Sequence, residues 1–129
     1  MSITHTLGKT WAGGAGSVGL QKTIAITSDA ELNFDLAVPV STTNELLAWA
    51  FTLTKLKSVY ISSDNALTLK TNSSGSPQET LTLGAGDVIQ WDNTNGLVAP
   101  FAGNVTALYV TNGSSTLIAN LSIRTLFST

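Results

Sequence analysis

Residues 14–19 read GAGSVG, and Gly14, Gly16 and Gly19 have the spacing of a dinucleotide-binding loop, with Asp35 roughly 20 residues on, where such a loop expects its ribose-binding carboxylate. That chemistry needs a helix to begin at the last glycine, because the exposed amides of its first turn hold the pyrophosphate. The residues that follow, LQKTIAITSDAELNFDL, alternate and are rich in β-branched side chains, so they read as strand, turn and strand. No nucleotide cofactor is expected.

Other reactive residues are sparse. His5 is the single histidine and lies in an N-terminal stretch expected to be mobile, so a hydrolytic triad would hang on an unanchored base. The acids Asp29, Glu31, Asp64, Glu79, Asp87 and Asp92 mostly flank turn sequences, where a carboxylate caps its own backbone, and no spacing marks a facing glycosidase pair. DNTNG at 92–96 starts like a calcium loop, but Gly96 and Gly103 stand where liganding residues are needed, so a hairpin turn through Asn95 and Gly96 accounts for it and no metal is expected. Four N-x-S/T sequons, at Asn72, Asn104, Asn112 and Asn120, are a modest excess for a chain so rich in Ser and Thr. A tryptophan followed by polar residues, Trp91, Asp92 and Asn93, offers a stacking ring with hydrogen-bonding neighbours, the combination a sugar-binding site uses. Catalysis is not expected from this inventory.

The elements that carry these residues are strands. In ELNFDLAVPV the series Leu32, Phe34, Leu36, Val38, Val40 is uninterrupted while Glu31, Asn33 and Asp35 point the other way, and Pro39 places the end of that strand at an edge. Further strands are expected at 23–27, 46–54, 58–62, 67–71, 80–83, 88–91, 107–111 and 117–127, separated by turn sequences such as SSDNA, NSSGSP, GAG and TNGSS. The 46–54 segment also fits a helix face, and a short helical turn near Lys55 is compatible with it. Phe51 and Phe101 each lead through an apolar residue, Leu56 or Val105, to a tyrosine-bearing strand, a polar turn and a return strand, which suggests two related hairpins. The expected fold is all-β: a two-sheet antiparallel sandwich of about eight strands, jelly-roll or Greek-key, over residues 21–129, preceded by a Gly-rich arm or loop over 1–20.

Composition narrows the partners. Charged residues are 11% of the 129, against roughly 25% in an average domain. Thr, Ser and Asn number 19, 14 and 9, so short neutral groups cover the polar surface. Such a surface hydrates but repels neighbours weakly, which suits a protein packed against other subunits. Six basic residues against eight acidic, with Lys55 and Lys57 the densest basic pair, argue against nucleic acid. Cysteine is absent, and no apolar run is long enough to span a membrane or to resemble a secretion signal.

At KLKSVYISSD and VTALYVTNGSSTLIANLSIRTLF the chain resembles small bacteriophage virion proteins of all-β type, the group that includes capsid decoration proteins and head or tail accessories. The resemblance implies a non-enzymatic jelly-roll-like sandwich, often trimeric. It implies synthesis in the host cytoplasm and binding to a major capsid protein or another virion protein, whose lattice it stabilises. On that reading the assembly interface draws on Ile3, Leu7, Trp11, Gly13, Gly14, Gly16, Val18 and Gly19, with apolar anchors on a glycine-loosened arm. The alternative is a carbohydrate- or receptor-binding sandwich that uses Trp91, Asp92 and Asn93.

Overall fold

The computed structural model describes residues 2–11, 20–94 and 96–129, with the backbone alone at 9–11 and 20–22. Ten strands follow in order: β1 (Ile3–Trp11), β2 (Leu20–Ser28), β3 (Ala30–Val38), β4 (Thr42–Leu47), β5 (Leu56–Ser63), β6 (Leu67–Thr71), β7 (Thr80–Leu83), β8 (Val88–Asp92), β9 (Leu108–Asn112) and β10 (Ala119–Phe127). Eight of them form two antiparallel four-stranded sheets, ordered β3-β10-β5-β8 and β4-β9-β6-β7. Consecutive strands repeatedly change sheet, which is the jelly-roll wrapping the alternation and turn spacing led us to expect. The remaining two, β1 and β2, pair only with each other in a two-stranded ribbon.

Register explains the core. Across the first sheet Phe34, Ile123, Ile61 and Ile89 stand in one row, and Leu32, Thr125, Val59 and Trp91 in the next. Leu69, Val110 and Leu81 align in the facing sheet. Because side chains alternate across a strand, each row places its apolar members on the inner face, and Val59, Ile61, Leu69, Val110 and Ile123 are fully buried.

The 46–54 segment is not one strand. β4 ends at Leu47, Phe51 makes a lone bridge to Val105, and Leu53–Lys55 is a 3-10 turn. Here the chain crosses from one sheet to the other, so it cannot stay in a ladder. Instead it sinks Trp49 and Phe51 into the interior, where the two rings and Phe101 meet one another edge-on at 5.0–5.5 Å between ring centres. The Trp49 indole N–H donates to Thr125 Oγ1 at 2.8 Å, so the one polar atom of this buried ring is satisfied.

Three further expectations are corrected. The repeated pattern after Phe51 and Phe101 is not a pair of hairpins: β5 and β6 lie in different sheets, as do β9 and β10, and each pair is an arch across the sandwich. The arches interlock, since β5 pairs with β10 and β6 with β9. Likewise β8 and β9 do not pair, so DNTNG does not close a hairpin; Gly96 has φ +71°, and residues 97–107 cross to the other sheet. Thr23–Thr27, expected as a sandwich strand, lies within the ribbon strand β2.

Candidate functional site

The ribbon determines what the outer face of the first sheet offers. In β1 and β2 the residues Ile3, His5, Leu7, Ile24 and Ile26 share one face by register, and Thr4, Thr6, Thr23, Ala25 and Thr27 share the other. The apolar face lies on the sheet, where Leu7 and Ile26 enclose Leu126, an outward-pointing residue of β10 that is nonetheless fully buried. Ser28 Oγ donates to the Phe127 carbonyl at 2.8 Å, and His5 Nε2 meets Glu31 Oε2 at 2.9 Å, fixing the ribbon to β10 and β3.

Beside the ribbon a cleft of about 510 Å³ remains open. Its floor is the neighbouring row of the sheet, Asn33, Arg124, Tyr60 and Gln90, one residue from each of the four strands. Its wall is β1 from Thr4 to Gly8, and Glu31 joins wall to floor. Arg124 is committed: Nη2 reaches both Asp35 oxygens at 3.0 and 2.9 Å, while Nη1 donates to the Phe34 and Ile123 carbonyls. The guanidinium holds the Asp35 carboxyl below the usual carboxylate range. The His5 hydrogen bond, with a second from Asn33, lowers Glu31 in the same sense.

A second feature is the end of the sandwich where the loops 39–41, 64–66, 84–87 and 113–118 meet. Register brings them together, since Val38 faces Ala119, Leu121 faces Ser63 and Ser62 faces Val88. Hydrogen bonds tie one loop to the next: Ser41 N to Ser114 O at 2.8 Å, Asn65 Nδ2 to Ile118 O at 2.8 Å and Gly86 N to Ser63 O at 2.9 Å. Asp64 accepts both the backbone N–H and the amide of Asn120, which lowers its pKa. On this braced end Val40, Val88, Leu117 and Ile118 stay exposed, the last two at 54%.

The sequence-predicted residues fare unevenly. Ile3 is half-buried and Leu7 is buried against Ile26 and Leu126 of its own chain, because the alternation in β1 gives the ribbon an apolar side that the sheet satisfies. Trp11 lies at the end of β1, with its side chain outside the described residues, as are Gly13, Gly14, Gly16, Val18 and Gly19 altogether. The strand β2 begins at Leu20, where a dinucleotide loop would need its helix. Trp91, Asp92 and Asn93, the candidate sugar contacts, do not share one face. Trp91 faces the core and donates its indole N–H to Leu97 O at 2.8 Å, whereas Asp92 points to the opposite face, fully buried, and accepts from Thr94. Asn93 is exposed beyond the strand's end.

The four sequon asparagines have structural duties. Asn112 is fully buried and bridges the Val38 and Leu117 carbonyls, at 3.1 and 2.9 Å, while accepting from Ser114 N. Asn72, at φ +68°, donates to Asn104 O and accepts from Thr106 N; Asn104 accepts from Leu53 N. Asn120 is the partner of Asp64. Among the described residues no three or more His, Asp or Glu side chains gather as a metal site. No protein-family model, curated protein or solved structure matches this chain.

Proposed function

We propose that the protein is a non-enzymatic structural subunit that docks on a protein lattice, with a virion shell and its major capsid protein as the lattice. The observation that carries this reading is the braced loop end. Four large apolar side chains stand exposed there, Val40, Leu117 and Ile118 on loops that hydrogen bonds already hold in place and Val88 at the start of β8. Apolar groups presented on a rigid frame lose little conformational entropy on association, which is how a small patch gains affinity. A surface poor in charge adds little desolvation cost when it is covered. The outer face of the second sheet has the same character, with Thr111, Thr68 and Thr82 in one cross-strand row.

On this reading the chain assembles as a homo-oligomer, a trimer in the group it resembles, and is carried in the virion after synthesis in the host cytoplasm. The test is sedimentation of the purified protein alone and with capsids. An oligomer that co-sediments with capsids is expected, and a double variant, Leu117→Ser with Ile118→Ser, should stay folded by circular dichroism and lose that association. A wild-type monomer that ignores capsids overturns the proposal.

A further inference from the structure

We propose that the cleft between β1 and the outer face of the β3-β10-β5-β8 sheet is a binding site for a small neutral saccharide, independent of assembly and distinct from the Trp91 region. Its volume, about 510 Å³, lies within the range of small-ligand sites, roughly 300–1,000 Å³. What it displays decides the class of ligand. The charged groups in it already have partners within the chain, Glu31 in hydrogen bonds with His5 and Asn33 and Arg124 in its pair with both oxygens of Asp35. A phosphate or carboxylate ligand would therefore have to displace Asp35 from a bidentate pair before it gained a cation. A neutral ligand has no such competitor.

The groups left for a ligand are of another kind. Tyr60 and Gln90 are half-buried on the floor, and among the described residues neither the phenol oxygen nor the Gln90 amide makes a hydrogen bond within the protein. Asn33 adds a second planar amide in the same row, two strands from Tyr60; it already donates one N–H to Glu31, which leaves its oxygen and its other N–H for a ligand. An amide presents a donor and an acceptor side by side, the arrangement that pairs with adjacent hydroxyls, each of which both gives and accepts. The tyrosine supplies an apolar body with a polar tip, suited to the C–H face of a sugar ring. On the wall, β1 pairs only with β2 among the described residues, so its other edge has backbone N–H and C=O groups without a strand partner there. A flat aromatic, two amides and a line of neutral donors and acceptors are what a polyhydroxylated ring needs.

The experiment is an NMR titration of the ¹⁵N-labelled full chain with neutral mono- and disaccharides up to about 10 mM, the range of weak single-site binding. At least one sugar should shift the side-chain amides of Asn33 and Gln90 together with the backbone of β1. Gln90→Ala, and separately Asn33→Ala, should weaken that sugar by roughly five- to tenfold, the effect of losing a neutral hydrogen bond or two. Thr68→Ala, on the outer face of the other sheet, should leave it unchanged. The proposal is overturned if no sugar produces shifts, if the shifts map elsewhere, or if both amide variants bind as the wild type does. Tighter binding of inorganic phosphate than of any sugar at these same residues would also overturn it.

Discussion

Thr125 and Asn112 show how single polar side chains hold an apolar sandwich together. Thr125 Oγ1 accepts the Trp49 indole N–H inside the core, so Thr125→Val keeps the volume and strands a buried donor. A loss of about 1–3 kcal/mol is expected in urea unfolding, with the slope unchanged. Asn112→Ala should cost a similar amount, about 1–3 kcal/mol, because two carbonyls lose their donor, and it should loosen the loop that carries Leu117. Carboxylates give the molecule its acid limb. Asp29, held by the Thr129 hydroxyl, and Glu31, Asp35 and Asp64 all have pKa values below their ordinary range. A depressed acid adds stability that is present above its unfolded pKa, about 4, and disappears as pH falls through the folded value. The melting temperature should therefore drop as the pH is lowered from about 5 to about 2. Asp64→Asn should melt lower at neutral pH and respond less steeply to acid. Little of this could be read from the residues in order. The asparagines that brace the loops look like glycosylation sequons, and Arg124 finds Asp35 only through a register fixed 89 positions away in the chain.

At the scale of elements, the period-two pattern was the strongest guide. Leu32 to Val38 lies on β3 as its alternation requires, and the strands at 67–71 and 80–83 fall where turn residues bound them. Alternation fails at 46–54 because it cannot tell a strand in a ladder from a crossing segment whose aromatics turn inward. It also leaves open where an amphipathic ribbon will dock, since the partner of Leu7 is Leu126, more than a hundred residues on. The cleft shares that difficulty: its floor and wall come from five strands that only the completed topology brings together. The ribbon rests on a small satellite of the core. Leu7→Ser should release it, with fast hydrogen exchange throughout β1 and β2, while the amides of β5 and β10 keep their protection. Exchange that accelerates equally in the sandwich would show that the ribbon is part of one cooperative unit with it.

For the whole molecule, the consequence lies in where β10 sits. The tenth strand to be made is an inner strand of its sheet, with β3 on one side and β5 on the other. Until it arrives, β3 has no neighbour at all and β5 has only β8. A nascent chain lacking residues 119–127 therefore exposes two unpaired edges and the apolar faces of Phe34 and Ile61, and the β3-β10-β5-β8 sheet cannot close until its last strand is made. Since the contacts that close it span most of the chain, refolding should be slow for a protein of this length, on the order of milliseconds to seconds, and should proceed in one step. Stopped-flow fluorescence of a variant that keeps only Trp49 of the three tryptophans, Trp11→Phe with Trp91→Phe, would show a single exponential; an early phase with native-like Trp49 emission would mean that the core forms without β10. During synthesis the same geometry makes the unfinished chain a target for its own copies, because an exposed edge accepts any matching strand, and a second molecule's β10 matches as well as its own.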